Sequence, residues 1–176
     1  MRIVFLDVDG VLNSPSYLRT FNGDIIFSNM FGYIEPYSLD PKGLEYLQTL
    51  VETAEAKIVI TSTWRYSKEL RRKLMMMLDH YGLAKEVIDW TPVIVNEREQ
   101  EIFEVLNGYN GSIENFVILD DVVEHFKYLT NDLIHVNSNV GFTEENMYAA
   151  IGILTRKYRH KEDKGIRKSL IRSCHN

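Results

Sequence analysis

The chain is poor in cysteine, in long apolar runs and in any histidine pattern, and each absence narrows what it can be. Cys174 is the single cysteine among 176 residues, which excludes an intrachain disulfide framework and a cysteine metal cluster. The longest uninterrupted apolar stretches, Leu74 to Leu78 and Met147 to Ile151, are five residues each. A membrane-spanning helix needs about 20, so no membrane association is expected. Arg2 is followed by only four apolar residues before Asp7, too few for the apolar segment of a secretory signal. With so little cysteine, a reducing, cytoplasmic setting is predicted. His80, His125, His135, His160 and His175 show no ligand spacing, which argues against zinc. Repeats, low-complexity tracts and linkers rich in Pro, Gly or Ser are missing too, and the 45% apolar content is ordinary for a globular chain. One domain with a sizeable core is therefore predicted.

Charge is present but unevenly placed. Residues 1–155 hold 12 Lys and Arg against 23 Asp and Glu. Residues 156–176 hold eight basic residues, from Arg156 to Arg172, against Glu162 and Asp163. The sequence thus divides into an acidic domain over 1–155 and a basic C-terminal tail over 156–176. Such a tail either tracks a polyanion, gaining salt-dependent affinity from released counterions, or is a solvated end.

Short apolar runs alternate with segments of helical periodicity. Ile3 to Leu6, Ile58 to Ile60 and Phe116 to Leu119 read as parallel strands buried on both faces, with weaker strands at Val87-Ile88 and Ile134 to Val136. Asp40 and Pro41 open a helix carrying Leu44, Leu47, Leu50, Val51 and Ala54. Further helices are predicted through Leu70 to Leu78 with a stop at Gly82, over Glu97 to Leu106, in a short piece over Val122 to Leu129, and from Thr143. There, Asn146 in place of Glu or Gln falls short of a full capping box. About five βα units make a doubly wound, Rossmann-like α/β domain with helices on both faces of a parallel sheet. In such a sheet, ligands sit at the C-terminal strand ends.

The residues at those ends are chemically loaded. The first strand runs into Asp7-Val8-Asp9-Gly10-Val11-Leu12-Asn13, the second into Thr61-Ser62-Thr63-Trp64-Arg65, and the strand at 116–119 into Asp120-Asp121. Converging carboxylates raise one another's pKa unless a cation relieves them. Mg²⁺ suits this all-oxygen set, because it binds through a few carboxylates together with substrate phosphate. Arg65 is either a second phosphate or nucleic-acid contact or a partner in a structural ion pair.

Asp7-Val8-Asp9-Gly10-Val11-Leu12 resembles the first motif of the haloacid dehalogenase-like (HAD) phosphohydrolases, and Thr61, Arg98 and Asp120-Asp121 fall in the order of its other three. Ile-Thr-Ser-Thr-Trp-Arg, Arg98 to Ile102, Ile-Leu-Asp-Asp and Gly141-Phe142-Thr143 are similar to the HAD domain of multi-enzyme RNA repair proteins. The resemblance implies Asp7 as the nucleophile that becomes an aspartyl-phosphate and Asp9 as general acid and base. It implies Mg²⁺ held by the Asp7 carboxylate, the Asp9 main-chain carbonyl and the Asp120-Asp121 pair, either of which is the direct ligand. Thr61 and Arg98 would hold the phosphate, with Lys85 the rival of Arg98 for the third motif. Gly10 would bring backbone N–H groups near the phosphate, and Ser62 would join the substrate contacts. A kinase or ligase working beside the domain is the implied partner.

HAD enzymes differ in the cap that covers the site. Residues 14–39 leave room for a flap or short lid, and about Thr91 to Asn96 leave none for a domain. An open site favours phosphate on a macromolecule, such as a nucleic-acid end. The aromatics Tyr17, Phe21, Phe27, Phe31, Tyr33 and Tyr37 would either stack on bases or bury the flap.

Overall fold

The computed structural model describes residues 1–20, 39–94 and 97–157. The larger part of the 14–39 flap, and the basic tail beyond Lys157, lie outside the described residues. The chain runs β1 (Arg2–Leu6), α1 (Pro15–Leu18), α2 (Pro41–Ala54), β2 (Ala56–Ile60), α3 (Lys68–His80), β3 (Val87–Trp90), α4 (Arg98–Gly108), β4 (Asn115–Asp120), β5 (Leu133–His135) and α5 (Glu144–Thr155). The five strands form one parallel sheet in the order β3-β2-β1-β4-β5. This is the doubly wound α/β architecture expected from the sequence.

β1 lies at the centre of the sheet, between β2 and β4. Ile3 to Leu6 are all fully buried, paired with Ile58 and Ile60 on one side and Val117 and Leu119 on the other. Side chains alternate across the sheet. Val4 and Leu6 join Leu44, Leu47, Leu74, Leu78, Met147 and Leu154 on the face covered by α2, α3 and α5. Ile3 and Phe5 join Ile102 and Phe103 of α4, with Phe126 and Leu129, on the opposite face.

Local signals explain the helix limits. The Asp40 carboxylate accepts from the Lys42 N–H at 2.9 Å, with Pro41 in the first turn. α3 ends where Gly82 takes φ +68° and the Leu83 N–H closes back on the Leu78 carbonyl at 2.9 Å, a glycine-dependent stop. Two expectations are corrected. At the start of α5, Thr143 Oγ1 accepts from the Asn146 N–H at 3.2 Å while Asn146 Oδ1 accepts from the Thr143 N–H at 3.1 Å. The capping box is therefore complete, because asparagine is long enough to reach back.

The helix expected over Val122 to Leu129 is only a 3₁₀ turn at Val123–His125, followed by another at Thr130–Asp132. Successive N–H groups of Lys127, Tyr128 and Leu129 donate to Glu99 Oε1 of α4, at 3.1, 2.7 and 2.8 Å. A carboxylate takes the donors that a helix would have directed to its own carbonyls.

Candidate active site

The site forms where the chain turns from one half of the sheet to the other, at the C-terminal ends of β1, β2 and β4. Asp7 extends β1, its N–H donating to the Leu119 carbonyl at 3.0 Å, so the backbone that carries it is part of the sheet. The chain then turns sharply, with Leu12 N–H donating to the Val8 carbonyl at 2.8 Å and Gly10 at φ +73°. Gly10 is required twice over: a Cβ there would fall 2.3 Å from Asp121 Oδ2, and the left-handed backbone already disfavours a side chain. Its N–H donates to Asn13 Oδ1 at 3.0 Å, and its lack of a side chain makes room for Asp121.

Carboxylate oxygens of Asp7, Asp120 and Asp121 all lie within 4.8 Å of one another. Asp7 and Asp120 are buried, and Asp121 is half-buried. Burial, followed by the nearby Asp7 charge, pushes Asp120 up to about 7, and the same two causes in the same order raise Asp121. Arg98, at the first turn of α4, is the counter-charge. Its Nη1 lies 2.7 Å from Asp120 Oδ2 and 3.1 Å from Asp7 Oδ2. Burial works against its charge, but Asp7 and Asp120 outweigh that and raise its pKa. One guanidinium does not neutralise three carboxylates, so the cluster retains room, ligand type and charge for a hard divalent cation such as Mg²⁺.

Asp9 stands apart from this cluster. Its exposed carboxylate receives the Trp64 indole N–H, 3.0 Å from both oxygens, and the Asn13 amide, 2.8 Å from Oδ1. Thr61 follows β2, fully buried, with its N–H on the Leu6 carbonyl at 2.9 Å. Its hydroxyl has no hydrogen-bond partner. A buried hydroxyl without a partner is costly, and at this strand end a phosphate oxygen would satisfy it. Ser62, also fully buried, has its hydroxyl accepting from the Trp64 N–H at 3.4 Å, where it caps the Thr63–Tyr66 turn.

Arg65 takes the structural alternative. Its Nη2 is 2.5 Å from Glu101 Oε1, with both side chains almost wholly buried, and its Nη1 donates to the carbonyls of Thr61 and Ser62. Of the two roles read from the sequence, the ion pair is the one this side chain occupies, and it ties the β2 turn to α4. Lys85 lies beside Lys57 and Glu86 near the N-terminal ends of the strands, the opposite end from Asp7. Trp64, Glu99 and Glu101 were not singled out from the sequence, although all three lie inside the quoted motifs. Nothing local marks an indole N–H for Asp9 or a glutamate for a buried arginine.

The family model for the HAD domain in Swiss Army Knife RNA repair proteins matches residues 3–147. The chain belongs to this HAD family. Its matched span includes β2 to β5, β1 from Ile3 onward and every carboxylate of the site. No curated protein and no solved structure gives a significant match. Among the described residues of this HAD domain, no helix is long and apolar enough to cross a membrane.

Proposed function

We propose that this HAD domain is a Mg²⁺-dependent phosphomonoesterase that removes a terminal phosphate from nucleic acid by way of an aspartyl-phosphate. The observation that carries the reading is the convergence of Asp7 with Arg98, the Asp120-Asp121 pair and the unpartnered Thr61 hydroxyl. In this reading an Asp7 oxygen attacks phosphorus, the bond to the leaving oxygen breaks, and Asp9 gives that oxygen a proton. Water then attacks the aspartyl-phosphate, Asp9 takes a proton from it, and inorganic phosphate leaves with the Asp7 carboxylate restored.

Asp7, Asp120 and Asp121, with the Asp9 main-chain carbonyl, would hold Mg²⁺, which neutralises charge on the phosphoryl group and fixes its orientation. Thr61 donates to a phosphate oxygen. Arg98 grips the phosphate and keeps the carboxylates from repelling it. The nucleic-acid substrate is supported by the RNA repair proteins that give the family its description. It is also supported by an insertion too short for an independent cap and by the basic tail over 156–176.

The test is inorganic phosphate release from a 3′-phosphorylated oligonucleotide and from a nucleoside 3′-monophosphate, with Mg²⁺ and with EDTA, using Asp7→Asn as control. Mg²⁺-dependent release favouring the oligonucleotide, lost in Asp7→Asn, is the expected result. Release from the small substrate alone would overturn the nucleic-acid assignment, and release by Asp7→Asn would overturn the nucleophile.

A further inference from the structure

The Thr63–Tyr66 turn sends two neighbouring side chains to opposite parts of the site: Arg65 to α4 and Trp64 to Asp9. The Trp64 contact is the unusual one. Asp9 is exposed and, left to itself, would sample several side-chain rotamers, whereas the Trp64 ring is 2% exposed and cannot swing. Its indole N–H lies 3.0 Å from both carboxylate oxygens. Asn13 adds a second donor to Oδ1 at 2.8 Å, and its own orientation is set because its Oδ1 accepts the Gly10 N–H at 3.0 Å. An amide whose oxygen is so engaged must turn its N–H₂ group toward Asp9.

Three N–H···O contacts therefore hold one carboxylate, and they hold it unevenly. Oδ1 accepts from two donors and Oδ2 from one. Indole and amide N–H groups are donors only and cannot give way to a carboxyl proton pointing at them. A proton on Asp9 is thus directed to Oδ2, on the side away from Trp64.

We infer that Trp64, assisted by Asn13, is a positioning residue that holds the Asp9 carboxylate with Oδ2 turned to the leaving oxygen of the substrate. The inference rests on the phosphohydrolase reading and adds to it the element that orients proton transfer. Oδ2 gives its proton to the departing alkoxide as the bond to phosphorus breaks. The same oxygen, still held by the indole, takes a proton from the water that attacks the aspartyl-phosphate. Fixing a catalytic group in its reactive orientation removes an entropic part of the barrier. The benefit is largest where the leaving group needs the proton most.

That dependence separates positioning from mere packing of a buried indole. Trp64→Phe keeps an aromatic ring and removes the N–H. Steady-state hydrolysis of a nucleoside 3′-monophosphate, whose alkoxide cannot leave unprotonated, is compared with first-turnover phenolate release from 2,4-dinitrophenyl phosphate, whose leaving group needs no proton. On the nucleotide, kcat should fall about 10–100-fold with KM within about threefold, a part of the ~10²–10⁴-fold that general acid–base catalysis supplies. The loss on the aryl ester should be at least about tenfold smaller. In an Asp9→Asn background, adding Trp64→Phe should lower kcat by less than about twofold further, because residues that act through one another are not additive.

Asn13→Ala, at a half-buried position, should move the same ratio in the same direction and keeps the test open if Trp64→Phe does not fold. Equal losses on the two substrates, or losses that multiply in the double variant, would overturn the inference while leaving the phosphohydrolase reading intact. If the unsubstituted protein releases phosphate from no monoester in Mg²⁺, that reading falls and the inference with it.

Discussion

Replacing Glu101 by leucine should destabilise the domain far more than a conservative change of volume would. The carboxylate is 2% exposed, faces the buried Arg65 guanidinium at 2.5 Å, and also accepts from Ile94 N–H at 3.0 Å and Thr91 Oγ1 at 3.3 Å. Without it, Arg65 keeps a full charge in a site where its Nε already lacks a partner. Removing one member of a buried ion pair costs about 3–5 kcal/mol, most of it from the charge left behind. For a chain of this size, at about 2–4 °C per kcal/mol, Tm should fall by roughly 6–20 °C.

The assay is urea and thermal unfolding followed by circular dichroism, with Arg65→Met/Glu101→Leu as the partner variant. The double variant removes the stranded charge and should recover at least half of the loss. Because Glu101 lies three residues after Arg98 on α4, the single variant should also weaken phosphate turnover. A loss below about 1 kcal/mol, or a double variant no more stable than the single one, would refute the view that this pair anchors α4 to the site.

Other outcomes follow from the same geometry. Asp120 sits at about 7 in the folded protein against an ordinary 3.8, so the fold favours its neutral form. Stability from this group is full below about pH 4 and is lost as pH rises through about 7. Metal-free Tm should accordingly fall between about pH 4 and about 7. The fall should shrink in 10 mM Mg²⁺ and also in Asp120→Asn, where the raised Asp121 still contributes, and a flat profile in metal-free protein would contradict the assignment. Gly10→Ala places a Cβ 2.3 Å from Asp121 Oδ2 at a positive φ and should cost at least about 1–2 kcal/mol. It should also weaken Mg²⁺ binding by calorimetry, and unchanged affinity would mean that Asp121 is not held in this way. Arg98→Ala should impair turnover by orders of magnitude while Lys85→Ala leaves it near the original rate; the reverse ranking would show the third motif to be misplaced. Truncation after residue 155 should weaken oligonucleotide binding and flatten its dependence on salt, read by fluorescence anisotropy at several ionic strengths. An unchanged slope would make the tail a solvated end.

Much of this was legible in the amino-acid order because it depends on local pattern. Continuous apolar runs mark buried parallel strands, Asp40-Pro41 and Gly82 punctuate helices, and a parallel sheet brings whatever follows each strand to one edge. Asp7, Asp9, Thr61 and Asp120 could therefore be placed together without coordinates. The same logic failed at Val122 to Leu129, where helical periodicity lost to a carboxylate about 30 residues away that took three successive N–H groups. Arg65 shows the limit from another side, since a cation after a strand is equally suited to substrate and to a buried glutamate.

Tertiary structure decided between such alternatives because the deciding partners are distant in sequence. Trp64 and Asp9 are 55 residues apart, and Arg65 and Glu101 are 36. No periodicity or turn rule spans those separations. Which indole, amide or carboxylate meets which acid or base is set only when both core faces have packed and the helices have taken their places on the sheet. The carboxylate edge was thus written into the chain order, while the groups that orient Asp9 and anchor Arg98 emerged from the packing.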